Sequence, residues 1–179
     1  MDKKSELQKI SLEIESCKIC KTAKSGKAVP GEGNPNAKIM FVGEAPGKTE
    51  AKTGRPFVGR SGKLLRQALK DAGLSEEDVY ITSPVKYLPD RGTPTISDIE
   101  HGKTHLQKQI DIINPNIIIL LGNTACVAML GSKTPILKRH GEIIKKDGRK
   151  YLITFHPSAV LRFPNKYKEM FEEDLKKLY

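Results

Sequence analysis

The sequence has no tryptophan, only three cysteines, and aromatic side chains at just 6% of its 179 positions. Three cysteines (Cys17, Cys20 and Cys126) do not make a disulfide framework. In a reducing compartment a Cys-x-x-Cys pair points instead to metal or redox chemistry. No stretch approaches the ~20 consecutive apolar residues of a membrane span; a run such as Ile117 to Leu121 has the length of a strand. The segment Met1 to Glu6 is polar and lacks the apolar core of a signal peptide. These absences lead us to expect a cytoplasmic protein without a membrane partner. Hydrophobic residues make up 37% of the chain, enough for one core and too few for two, so a single domain over 1–179 is expected.

What the chain has in excess is positive charge. Its net charge is +10 and its isoelectric point about 9.5. A balance of this kind favours a polyanionic partner, although a basic soluble protein with no such partner carries the same charge.

The pattern of apolar residues alternates between helix and strand. Ser5 to Ser16 reads as an amphipathic helix with Leu7, Ile10 and Ile14 on one face. Lys38 to Val42, Val79 to Thr82 and Asn116 to Leu121 read as strands, the last apolar enough to be buried on both faces. Between them lie helices over Ser61 to Ala72, with Ser61 as N-cap, and over Ser97 to Ile113. Asn123 to Leu130 forms a helix closed by Gly131. Glu142 to Lys146 and Lys150 to Phe155 flank the hairpin signal Asp147-Gly148, and Lys166 to Leu178 closes the chain as a helix. Lys24 to Ala37 reads as a loop. This order predicts a three-layer α/β/α fold around a central four-stranded parallel sheet.

In such a sheet the carboxyl ends of the strands share one edge, where ligands bind. Each strand here is followed by a polar, Gly- or Pro-rich segment. These are Gly43-Glu44-Ala45-Pro46-Gly47, Ser83-Pro84-Val85-Lys86, Gly122-Asn123-Thr124 and His156-Pro157-Ser158. Glu44 is a candidate to orient water or stabilise a cation, against the reading of an ordinary solvated turn residue. His156, fixed by Pro157, is a candidate electrophile or acid, although a lone histidine is often structural. Thr53 to Arg60 places Phe57 between Arg55 and Arg60 in a glycine-rich loop. That combination suits stacking on a flat base while cations hold phosphate; packing of Phe57 into the core is the alternative. Ser158 suits a helix cap or a phosphate contact.

Cys17 and Cys20 offer two thiolates where four ligands are usual. Cys126 reads as a small buried hydrophobe. His101 and His105, one helical turn apart, could complete a Cys2His2 set or form an exposed pair.

Taken together and in order, Cys17-x-x-Cys20, Gly43 to Gly47, Thr53 to Arg60, Arg91-x-x-Pro94-Thr95 and His156 to Ser158 resemble the small uracil-DNA glycosylases that carry an iron–sulfur cluster. The resemblance covers Cys17 to about Arg162. It implies excision of uracil, or another deaminated base, from a nucleotide flipped out of DNA, by a monomer. Glu44 and His156 would be catalytic. Gly43, Ala45, Phe57 and Ser83 would bind the base, and Arg55, Arg60, Ser158 and Arg162 the DNA. No cofactor takes part in the chemistry, and the family's cluster is structural.

Two positions depart from the family pattern. Ser83 stands where an asparagine amide reads uracil by donating and accepting at once, which puts uracil specificity or activity in question. Tyr87 and Gly102 stand at the third and fourth cluster cysteines, so the cluster is expected to be absent or incomplete, with a histidine-containing ligand set or zinc as alternatives. A lesion-binding relative without catalysis and a nucleotide- or small-molecule-binding α/β protein are the competing readings.

Overall fold

The structure is a computed structural model and describes residues 2–178. In chain order its elements are α1 (Lys3–Ser16), α2 (Lys18–Lys21), β1 (Lys24–Ser25), β2 (Glu32–Gly33), β3 (Ile39–Val42), α3 (Lys48–Thr53), α4 (Arg60–Asp71) and β4 (Val79–Thr82). There follow β5 (Leu88–Pro89), α5 (Ile96–Ile113), β6 (Ile117–Leu121), α6 (Asn123–Leu130), α7 (Ile136–Arg139), β7 (Ile143–Lys146), β8 (Arg149–Thr154), α8 (Pro157–Arg162) and α9 (Pro164–Lys176).

The sheet has six strands in the order β2-β4-β3-β6-β8-β7. Its four central strands, β4, β3, β6 and β8, are parallel, as expected. The count of four omits two antiparallel edges. β7 joins β8 through Asp147 and Gly148, both at positive φ, the backbone that a two-residue hairpin requires. β2 is only two residues long and pairs with β4. It lies inside the segment that reads as a loop, because two residues carry no periodicity.

Alternation along each strand sorts the core into two layers. Ile118 and Leu120 face the side covered by α1, α5 and α6, with Leu7, Leu106, Ile110 and Met129. Ile119 and Leu121 face the side of α4, α8 and α9, with Leu65, Leu69, Val160 and Phe171. Full burial of each such side chain is worth roughly 1.5–3 kcal/mol. No described helix is long and apolar enough to cross a membrane.

Helix ends depart from expectation in one informative place. The N-cap of α4 is Gly59, not Ser61. Glu50 on α3 acts in place of a capping side chain: its Oε1 accepts the backbone N–H groups of Val58 and Gly59 at 2.9 and 2.7 Å. A carboxylate from another element thus satisfies donors that a local cap would otherwise take.

Candidate active site

The ends of β3, β4 and β8 open on one pocket of about 350 Å³. Ala45, Phe57, Arg60, Ser83 and His156 line it, together with Lys48 and Glu50. Gly43 lies beneath it. The Phe57 ring rests so closely on Gly43 that a Cβ there would meet the ring at 2.5 Å.

Phe57 is a non-glycine residue with φ of 51°, a backbone that persists only where neighbours enforce it. The enforcement is visible. Arg66 on α4 donates to the carbonyls of Phe57 and Pro56 at 2.8 and 2.9 Å, and Glu50 takes the next two amides. Gly62 gives the loop room, since a Cβ there would fall 1.9 Å from the Phe57 carbonyl carbon. The Phe57 and His156 rings lie 5.8 Å apart at 36°.

His156 follows β8 and caps α8. Its Nδ1 accepts the backbone N–H of Ser158 at 3.1 Å and lies 2.7 Å from the Ser158 hydroxyl. An amide can only donate, so in the neutral ring the proton sits on Nε2. Burial pushes the imidazole's pKa below its usual value, with the Glu44 charge pulling the other way. The result is a neutral imidazole that keeps an N–H to donate. Glu44 follows β3, and its Oε2 accepts the Thr124 hydroxyl at 2.6 Å. Thr124 belongs to the segment after β6, so four strand ends converge as the topology requires.

The remaining sequence candidates fall differently. Ser83 is buried and its hydroxyl donates to the Val85 carbonyl at 2.8 Å. Ser158 is exposed and bonds the His156 ring. Arg60 is exposed on the pocket rim, and Arg162 is exposed at the end of α8, its guanidinium 5.5 Å from the centre of the Phe163 ring. Arg55 is not a free cation at the rim: both its Nε and Nη2 bond Glu32 at 2.9 Å. Glu32 also takes Arg66 at 2.8 Å, so Arg55 belongs to the framework that braces the Phe57 loop. Sequence reading missed Glu32, Glu50, Gly62 and Arg66, and met Thr124 only as part of the segment after β6.

Comparison with known proteins places the chain in a family. The uracil DNA glycosylase superfamily matches residues 30–179. A Type-4 uracil-DNA glycosylase of Sulfurisphaera tokodaii is 43% identical over 190 positions, covering 96% of this chain and 83% of that protein. That of Thermotoga maritima is 42% identical, with 94% and 90% covered. That of Archaeoglobus fulgidus is 39% identical, with 96% and 91% covered. The chain belongs to the uracil DNA glycosylase superfamily.

A second cluster lies away from the pocket, where α1, α2 and α5 meet. For a glycosylase of the iron–sulfur kind this is where four cysteine ligands are expected. They are not there. Tyr87 is buried and its hydroxyl reaches the Ile14 carbonyl at 3.3 Å. Gly102 lies so close to Pro84 that a Cβ would fall 1.9 Å from its carbonyl oxygen. Cys126 is buried in the core on α6, as its apolar surroundings suggested. A four-cysteine cluster therefore does not fit this chain. Instead, Cys17, Cys20, His101 and His105 each offer a ligand atom within 4.8 Å of the others. His105 is not part of an exposed pair, because the packing of α5 buries it. Burial pushes the Cys20 thiol up to about 12.

Proposed function

We propose that this enzyme hydrolyses the N-glycosidic bond of uracil in DNA and leaves an abasic site, acting as a monomer on a flipped-out nucleotide. The observation that carries the reading is the His156 tautomer: Nδ1 is held by Ser158, which leaves the Nε2 proton for a ligand in the pocket. The uracil ring stacks on Phe57, and the backbone N–H groups of Glu44 and Ala45 take its edge, those of Gly43 and Gly47 being donated to Thr82 and Glu50. As the bond between sugar C1′ and the base nitrogen breaks, negative charge grows on uracil. The His156 N–H stabilises it, a contribution that strengthens in the transition state. The sugar becomes cation-like. Glu44, with one oxygen fixed by Thr124, directs water to C1′ with the other. The hydroxyl adds to carbon, and the water's other proton passes to solvent or to the departing base. Arg60 and Arg162 hold backbone phosphates.

Ser83 favours a second reading of the same site, a broader choice of deaminated base. Its hydroxyl proton is committed to Val85, so it cannot offer the paired donor and acceptor of an amide. Labelled oligonucleotides carrying one uracil, hypoxanthine, xanthine or cytosine separate the readings. The expected result is alkali-sensitive scission at uracil that disappears in His156→Ala. Scission at another base only would move the specificity. Tight, salt-sensitive binding with no scission at any base would leave a lesion-binding protein, and absence of salt-sensitive DNA affinity would remove both.

A further inference from the structure

We propose that Cys17, Cys20, His101 and His105 form a closed, tetrahedral zinc site that ties α1 and α2 to α5.

The ligand atoms come from two directions. Cys17 caps α2 and Cys20 lies in its single turn, with the Cys20 amide donating to Cys17 Sγ at 3.4 Å. His101 and His105 are one turn apart on α5, so both project from one face. Their rings meet edge to face with centroids 5.6 Å apart. Cys17 Sγ lies 3.2 Å from His101 Nε2. Around zinc with bonds of about 2.3 Å to sulfur and 2.0–2.1 Å to nitrogen, ligand atoms of a tetrahedron stand roughly 3.3–3.8 Å apart. Small side-chain rotations take the four atoms from their present spread to that spacing.

The second observation is His105. It is 7% exposed, and neither ring nitrogen has a hydrogen-bond partner. Leaving such a group unsatisfied costs about 1–3 kcal/mol. A metal bond to Nε2 removes that cost at one end. At the other, Nδ1 faces Glu13 Oε2 at 4.0 Å, a short closure from a carboxylate–histidine–metal arrangement. Binding releases the two thiol protons to water. All four positions of the tetrahedron are filled by protein, so the site is structural and leaves no place for a reactive water.

A two-iron centre with the same residue types puts both cysteines on one iron and both histidines on the other. The direct Cys17–His101 contact suits one shared ion. Tyr87 and Gly102 close the space that further thiolates would need.

The test is metal content and metal spectroscopy of the full chain, independent of its action on DNA. We expect one zinc per chain as purified and no iron or acid-labile sulfide. Exchange with cobalt(II) should give intense thiolate-to-metal absorption and the d–d bands of a tetrahedral ion. Chelation should free two thiols to a thiol reagent and lower Tm by ~10 °C or more. His101→Ala, at a half-buried position, should keep the wild-type circular dichroism while losing stoichiometric zinc and the cobalt bands. His105→Ala should do the same if it folds. Iron and sulfide in place of zinc would overturn the proposal. So would a purified protein with under a tenth of a zinc per chain that shows no saturable binding on direct titration, or a His101→Ala variant that retains the wild-type cobalt spectrum.

Discussion

The pocket at the strand ends and the cysteine–histidine corner are built in opposite ways. At the strand ends, the two side chains proposed for catalysis are held by hydrogen bonds that leave one atom of each free: His156, which lines the pocket, keeps Nε2, and Glu44 keeps one oxygen. At the corner no atom is held back for a substrate. His105 has two buried nitrogens without partners, and the Cys20 thiol is buried. The first region looks outward to a ligand that comes and goes. The second closes on itself. Function and stability should therefore separate when each is disturbed.

The largest effect belongs to His156. Its replacement by alanine removes the donor proposed to meet the uracil anion and should lower single-turnover excision by ~10²–10³-fold, with DNA affinity and Tm nearly unchanged. Glu44→Gln keeps the Thr124 contact but loses the charge, and the same assay should register a loss of ~10²-fold. Gly62→Ala strikes the frame. Its Cβ cannot coexist with the Phe57 backbone, so the loop must shift, at ~1–3 kcal/mol of stability in denaturant unfolding and with weakened base binding read as a raised KM. If Gly62→Ala left both intact, the claim that the α4 frame imposes the strained Phe57 backbone would be wrong.

Acid gives a gentler test of the same comparison. Burial lowers the His156 pKa, so the folded protein prefers the neutral ring. Stability from this preference is complete above the ordinary imidazole value of about 6.5 and is lost as pH falls through the depressed folded value. Excision itself should persist below pH 6.5 and decline only nearer that lower value, in a pH–rate profile on the uracil oligonucleotide. The smallest effect expected is from Ser83→Asn. Restoring an amide should sharpen preference for uracil over cytosine about tenfold or more in kcat/KM ratios.

How far these regions were legible in the sequence differs for a physical reason. The strand-end segments announce themselves because an apolar run stops at Gly43, Ser83, Gly122 or His156, and the parallel topology then brings those stops together. Phe57 stood out as an aromatic among arginines and glycines. Its supports did not. Arg66 and Glu50 look like surface residues of their own helices, and only the turn of the chain brings them to the Phe57 backbone. Arg55 shows the converse: charge alone suggested phosphate, and the nearby carboxylate of Glu32 claims it. At the corner, Cys17-x-x-Cys20 was visible, but whether His101 and His105 faced it depended on the rotation of α5, which no local pattern fixes. The edge strand β2 escaped because two residues are shorter than any period.

The most direct measurement is release of free uracil from a single-uracil oligonucleotide, followed in parallel for the wild type, His156→Ala and Cys17→Ser. The account predicts rapid release by the wild type, a loss of ~10²–10³-fold in His156→Ala, and near-wild-type release at low temperature in Cys17→Ser despite its lower Tm. Undiminished release by His156→Ala would contradict it, because the chemistry would then lie outside the strand-end pocket.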